Sequence, residues 1–246
     1  MNRFGTSTIL AVCLALHVGS EATAHAQPRS ALPKQVQRIL ENWDRDLKRV
    51  DQLLVEGEPK KAYRIVSSLL EEMANRFIGG PLVGEFLATG TVLRALAAYQ
   101  MGNEDEALWH WHVANQLFPK VANLTMSAYG DAGPFLKVHP PRMRNEPAPG
   151  VYAEFEKAIT KRAEKLRAPK PDFPAARLGS EPVAIVVQAI VGIDGKLREP
   201  VIYQSKGELT LVCATLDATR RWEFVPAESE GEKVPVYYTL TVNFRS

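Results

Sequence analysis

The run "WHWH", which ends at His112, holds the side chains that most suggest a metal or haem site. A helix turns by about 100° per residue, so His110 and His112 lie about 200° apart and cannot ligate one metal ion within a single chain. Ala107, Trp111 and Ala114 share the packing face of the same predicted helix. We therefore interpret this run as structural packing, and we predict neither a metal site nor any other cofactor.

The other reactive side chains form no catalytic pattern. The chain has no G-x-S-x-G elbow, P-loop, G-x-G-x-x-G turn or H-E-x-x-H helix. Glu71, Glu72 and the acidic run "NEDEA" are typical of exposed helix starts and faces, and Cys213 lies on an apolar helix face, where an inert thiol is expected. We predict that the protein is not an enzyme. The alternative is an enzyme with a site assembled between the two halves of the chain.

The overall charge gives no reason to expect a nucleic-acid partner. The 246 residues include 30 Lys and Arg against 28 Asp and Glu, a formal net charge of +2. Binding to nucleic acid or to an anionic membrane surface usually requires a much larger excess of basic residues. The composition is that of an ordinary soluble chain, long enough for one large or two small domains.

The N-terminus has the pattern of a secretory leader. A lone Arg3 precedes an uncharged stretch over 4–20, and Ala24 and Ala26 provide the small residues of an A-x-A cleavage site. We predict a signal peptide at 1–26, a periplasmic mature protein and no membrane span after leader removal. The alternative is a retained membrane anchor, although Glu21 and His17 crowd the apolar stretch, which is short for a span.

Residues 33–120 are predicted to be helical. Apolar residues recur at three- and four-residue steps, and Gly and Pro occur at the breaks. The predicted helices are 34–56, 59–77, 82–101 and 104–117.

Two segments of this region align with each other. "GEPKKAYRIVSSLL" from Gly57 and "GNEDEALWHWHVAN" from Gly102 share a turn glycine and an alanine five residues later, which indicates paired helical hairpins. The second segment resembles a tetratricopeptide repeat, on Gly102, Ala107, Trp111, Ala114 and Pro119. The first keeps the glycine and the alanine.

Residues 121–172 are predicted to connect two domains. The stretch "HPPRMRNEPAPG" at 139–150 is too rich in Pro to form the interior of a helix or strand. Tyr152, Phe155 and Ile159 then recur at helical spacing, so we predict one helix at about 151–168.

After residue 181 the period changes from that of helices to that of strands. "VAIVVQAIVGI" predicts a strand buried on both faces, and Asp194-Gly195 predicts a hairpin turn into a second strand, where Pro200 suggests an irregular or edge position. A helix over "GELTLVCATLDATRRW" follows. The final strand alternates clearly, with Leu240 and Val242 on an apolar face and Thr239 and Thr241 on a polar face.

This order of elements, with the motif "RRWEFVPA" after the helix, resembles the C-terminal domain of TonB, the energy transducer of Gram-negative cell envelopes. The features that carry the resemblance are Phe173-Pro174, Asp194-Gly195, Arg221, Trp222, Phe224, Pro226-Ala227, Gly231 and Phe244. The expected fold is therefore α+β, with helical hairpins followed by a small ββαβ domain at 173–246 that contains an antiparallel sheet.

The resemblance implies an envelope protein with a role in transport that recognises a protein partner such as an outer-membrane receptor. In this family, binding is by strand addition, in which an extended segment pairs with an exposed strand edge. The implied contact residues lie in the final strand: Val236, Tyr237, Tyr238, Thr239, Leu240, Thr241, Val242 and Asn243. The same edge could instead be covered by the helical half of the chain or by a second copy in a homodimer.

The resemblance ends upstream of the C-terminal domain. TonB itself is expected to have an uncleaved membrane helix and a long Pro-rich spacer, whereas this chain has a short leader and a helical region. A membrane-anchored energy transducer is therefore the alternative to an exported protein that acts by recognition alone.

Overall fold

The computed structural model describes residues 32–76, 81–153, 155–173, 182–205 and 209–244. The chain divides into two compact units, Met1–Pro140 and Pro141–Ser246. The predicted signal peptide at 1–26 lies outside the described residues. None of the helices in the described ranges is long and apolar enough to cross a membrane.

The first unit is built of helices that follow the predicted ones closely. They are α1 (Lys34–Val55), α2 (Pro59–Asn75), α3 (Pro81–Gln100), α4 (Glu104–Leu117) and, after two short 3-10 turns at Pro119–Asn123 and Ser127–Tyr129, α5 (Ala132–Val138). The side chains that fill its core are large and almost inaccessible to water: Trp43, Leu47, Leu54, Met73, Leu87, Leu93, Leu96, Trp111 and Leu136.

The two turns that separate α1 from α2 and α3 from α4 have the same geometry. Gly57 (φ 77°) and Gly102 (φ 80°) both adopt the left-handed conformation that glycine tolerates best. Each turn closes the preceding helix with the bond pattern of a Schellman motif. The long bonds run from the Glu58 N–H to the Leu53 carbonyl (2.8 Å) and from the Asn103 N–H to the Ala98 carbonyl (2.9 Å). The aligned segments therefore have equivalent backbone turns, and the tetratricopeptide resemblance stays a prediction.

The second unit contains the predicted antiparallel sheet and helix. Its elements are β1 (Glu164–Arg167), β2 (Val183–Val191), β3 (Leu197–Ser205), α6 (Leu209–Thr219), β4 (Glu223–Val225), β5 (Ala227–Ser229), β6 (Glu232–Val234) and β7 (Val236–Phe244). The main sheet has three strands in the order β3, β2, β7. The α+β class and the order strand, strand, helix, strand are confirmed.

The irregularity expected near Pro200 is present in β3, which lies at one edge of the sheet. Glu199 has φ 50°, and the register between β2 and β3 shifts between the pairs formed by Gln188 and Ile190. Proline cannot donate a ladder bond, so it is accommodated where the pairing is already interrupted.

The predicted helix at 151–168 is wrong, because the described residues of this stretch form extended backbone and turns. Tyr152 pairs in parallel with Val236, Lys161 pairs with Glu228, and β1 pairs with β4. The apolar spacing is helical, but the backbone groups are taken up by partner strands in the C-terminal unit. Tertiary pairing has therefore overridden the local periodicity.

The predicted connector at 121–172 divides between the two units. Residues up to Pro140 belong to the first unit and those from Pro141 belong to the second. The Pro-rich run therefore ends one folded unit and begins the next.

Candidate functional site

All the residues predicted to contact a partner lie in β7, at an edge of the three-stranded sheet. β7 pairs with β2 without a register shift, from Val183 opposite Phe244 to Val191 opposite Val236. Its apolar side chains are buried, with Val236 and Leu240 each 1% exposed. The apolar and polar faces predicted for this strand are thus confirmed.

The outer edge of β7 is defined by the direction of its backbone groups. The Tyr237 N–H donates away from the sheet to the Tyr152 carbonyl (2.9 Å), and the Pro235 carbonyl accepts from the Tyr152 N–H (3.0 Å). Backbone direction alternates along a strand. Thr239, Thr241 and Asn243 therefore present their N–H and C=O groups on the same outer side as Tyr237.

These outward groups have no backbone partner within the described part of the second unit. Thr239, Thr241 and Asn243 also have exposed side chains. The predicted set therefore separates into two kinds of residue. The outward-bonding ones can accept an added strand, whereas Val236, Tyr238, Leu240 and Val242 direct their backbone bonds towards β2.

Tyr237 marks the end of this open stretch. Its hydroxyl accepts a hydrogen bond from the Ala148 N–H, and its ring lies under the Arg142 guanidinium, 5.1 Å from the ring centroid. Arg142 is buried, and it also donates to the Gln188 side chain (3.0 Å) and the Glu199 carbonyl (3.3 Å). The chain before residue 153 therefore packs on the sheet next to the first residues of β7.

Two aromatic residues after α6 belong to the core. Trp222 and Phe224 are 6% and 4% exposed, and the Phe224 ring meets Tyr238 of β7 edge to face at 4.8 Å. The Phe224 N–H donates to the Gly195 carbonyl (2.9 Å), which joins the hairpin turn to β4. The Asp-Gly turn and the aromatic motif thus form one structural unit behind the open edge.

Residues 170–246 match the family model for the Gram-negative bacterial TonB protein C-terminal domain. The match contains the whole main sheet and α6, and it covers about a third of the chain. No curated protein matches the sequence. The match supports a role in the cell envelope that works through contacts with other proteins.

Glu199 in β3 is a carboxyl group whose pKa is altered by its surroundings. Burial raises the pKa of Glu199, the Arg142 charge opposes this rise, and the Glu146 carboxylate adds to it. Arg142 Nε lies 3.6 Å from Glu199 Oε2, so the ion pair is loose. The raised pKa means that the folded protein binds this proton more tightly than the unfolded chain does.

Glu199 is expected to make the second unit less stable as the pH rises. A carboxyl with a raised pKa contributes full stability below the ordinary glutamate pKa of about 4.3, and this contribution is lost as the pH rises through the raised value. Glu199→Gln should therefore show a smaller fall in the free energy of unfolding between about pH 4 and neutrality than the wild type. Hydrogen exchange of the β2 amides across this range measures the effect. Glu232→Gln, at an exposed position, is the control, and equal pH slopes in all three proteins would contradict the prediction.

The side chains first considered for chemistry lie elsewhere, in the helical unit. Ala107, Trp111 and Ala114 are buried as predicted, and so are His110 and His112. The Trp111 indole donates to the His139 carbonyl (3.0 Å), and His110 Nε2 lies 3.4 Å from Glu106 Oε1. Within the described ranges, no group of three His, Cys, Asp or Glu side chains could hold a metal ion.

Two expectations from the acidic and thiol groups need correction. Glu106 in "NEDEA" is half-buried rather than exposed, because it accepts hydrogen bonds from the Tyr63 hydroxyl (2.5 Å) and the Asn103 amide (2.7 Å). Burial raises the pKa of Tyr63 above its ordinary value, and the Arg94 charge offsets only part of this rise. Cys213, in the middle of α6, is half-buried rather than fully buried, and desolvation raises the pKa of its thiol.

The sequence did not single out Arg142, which packs on Tyr237 at the end of the open edge of β7. It occurs in a Pro-rich run that predicts a connector, and the run gives no signal that one of its arginines enters a folded unit.

Proposed function

We propose that this protein is exported to the periplasm and recognises a protein of the cell envelope by accepting an extended segment at the outer edge of β7. The partner class that fits best is an outer-membrane receptor or another component of a transport system. The residues assigned to binding through their backbones are Thr239, Thr241 and Asn243. Tyr237, whose N–H is already bonded to Tyr152, lies at the end of this open edge, and the other predicted residues hold the strand in the sheet: Val236, Tyr238, Leu240 and Val242.

The observation that carries this proposal is the outward direction of the N–H and C=O groups of Thr239, Thr241 and Asn243. Within the described part of the unit, no strand pairs with them. Exposed strand edges are templates for pairing, and natural proteins usually block them with Pro, charge or a covering element. The exposed side chains of β7 between 239 and 243 are instead Thr, Thr and Asn.

The direct test removes one outward donor while leaving the sheet intact. Thr241→Pro deletes an N–H that the β2 ladder does not use, so the substitution is compatible with an edge strand. It should weaken capture of a partner from envelope extracts by at least about tenfold, because it removes a main-chain hydrogen bond and places a ring in the path of the added strand.

The matched control is Thr241→Val, which keeps the N–H and the β-branched shape. It should capture the partner within about twofold of the wild type, since a surface change of this kind costs at most about 0.5 kcal/mol. The full-length protein is used in every case, and β2 amide protection verifies that each variant is folded. Equal capture by a folded Thr241→Pro variant would remove the basis for strand addition at this edge.

Export is the second element of the proposal, and it rests on the leader pattern at 1–26. N-terminal sequencing of the mature protein tests it. A start at Gln27 is expected, and a retained leader would favour the anchored energy transducer instead.

A further inference from the structure

The outer edge of β7 is already paired at one end by the protein itself. We call residues 147–153 the strap. Tyr152 makes two main-chain bonds to the edge, one to Pro235 and one from Tyr237, and Ala148 donates to the Tyr237 hydroxyl. The strap therefore docks on β7 in the same way as an added strand would.

The pairing stops at Tyr152 because the chain turns at the next residue. The Glu156 N–H donates to the Ala153 carbonyl (3.1 Å), and the Glu156 carboxylate accepts from the Ala153 N–H (3.1 Å). Beyond Tyr237, the described strap residues offer no further bonds to the strand. The edge is thus divided into an occupied end at Tyr237 and an open part from Thr239 to Asn243.

We propose that the strap is a fixed stop that limits the partner's strand to the part of β7 between Thr239 and Asn243. This inference rests on the proposed function of the same edge. An added strand would run about 4.8 Å from β7, in the position that Tyr152 occupies, so it cannot continue past Tyr237 while the strap is docked.

The stop and the far end of β7 together set the length of the segment that fits, and the residues of β7 set its character. Five residues of extended chain span roughly 17 Å, so the paired part of the partner is about five residues long. Proline is excluded where the partner must donate to the outward carbonyls. Cross-strand pairs with Thr239 and Thr241 favour hydroxyl-bearing or β-branched side chains on that face of the partner.

The strap is held firmly enough to remain in place. Tyr237 is in contact with it through its backbone N–H and its hydroxyl, and the Arg142 guanidinium covers the Tyr237 ring. Arg142 is itself held by Gln188 and by the Glu199 carbonyl. Displacing the strap would break these contacts, whereas a partner's strand would replace only the two main-chain bonds that Tyr152 makes.

Amide exchange of the full-length wild type tests the stop. The probe is a linear nine-residue peptide enriched on this protein from a displayed random library, which is long enough to pass Tyr237 if nothing prevents it. On saturation, the amides of Thr239, Thr241 and Asn243 should exchange at least tenfold more slowly, while those of Tyr152 and Tyr237 stay within twofold of their values in the free protein.

Two other results would contradict the stop, and they differ in what they imply for strand addition. Faster exchange at Tyr152 on peptide binding would mean that the strap is displaced, which overturns the stop but leaves strand addition in place. Protection at none of the three outward amides would overturn the proposed function of the edge, and the stop with it.

A matched pair of variants tests whether the strap sets the end of the protected stretch. Tyr152→Pro removes the N–H that bonds Pro235 and should release the strap, so that the bound peptide slows exchange at Tyr237 at least tenfold. Tyr152→Phe keeps that N–H and should leave the limit at Thr239. If protection reaches the same residue in both folded variants, the strap does not set the limit. Should Tyr152→Pro fail to fold, the wild-type measurement decides alone.

Discussion

Replacing Trp222 by alanine is expected to lower the free energy of unfolding of the second unit by about 3–5 kcal/mol, the usual cost of truncating a buried aromatic side chain. Trp222 is 6% exposed, its indole N–H donates to the Pro169 carbonyl (3.0 Å), and the Lys165 ammonium lies 4.6 Å from its ring centroid. The substitution leaves a cavity and an unpaired carbonyl. Native-state hydrogen exchange at the β2 amides measures the loss in this unit alone.

Trp222→Phe separates packing from hydrogen bonding. It keeps most of the ring but removes the indole donor, so we expect a loss of about 1–2 kcal/mol. It should also keep capture of an envelope partner, because the open edge of β7 does not include this side chain. If Trp222 were instead a partner-contacting residue, alanine would change stability by at most about 0.5 kcal/mol and would abolish capture. That result would contradict the core role assigned to it.

The helices and the final strand could be predicted because their signals are local. In α1 to α4, apolar residues recur with the helical period, and Gly57 and Gly102 end the first and third helices with left-handed turns. In β7, strict alternation places Leu240 and Val242 in the core. Each of these signals comes from residues that are near neighbours in the sequence, so the sequence alone contains the whole signal.

The stretch after Pro140 could not be predicted because its structure is determined by distant residues. Tyr152, Phe155 and Ile159 have helical spacing, yet Phe155 is 70% exposed and Tyr152 pairs with β7. A sequence shows that a strand has two edges, but not which edge remains open. The position of the stop at Tyr152 depends on pairing between residues more than 80 positions apart. The candidate residues were therefore predictable as a strand, whereas the division of its edge was not.

Gly195→Ala is expected to destabilise the second unit by about 2–4 kcal/mol, for two reasons that act together. Gly195 has φ 78°, a conformation that costs an L-residue about 1–2 kcal/mol. A Cβ at this position would also overlap the Phe224 carbonyl oxygen, which is backbone and cannot move aside by a change of rotamer. Because the Gly195 carbonyl accepts from the Phe224 N–H, relieving the clash would strain the bond between the hairpin turn and β4.

Gly231→Ala is the matched control, because Gly231 has φ 87° but no atom within 4 Å of the position that a methyl group would take. It should cost only the conformational part, about 1–2 kcal/mol. The difference between the two variants, measured by hydrogen exchange at the β2 amides, then isolates the contact between the turn and β4. Equal losses at both positions would mean that backbone conformation alone makes glycine necessary in the Asp-Gly turn. A larger loss at Gly195 would mean that the turn must also lie directly against the strand that carries Phe224, which links two separate parts of the TonB-type motif through one close contact.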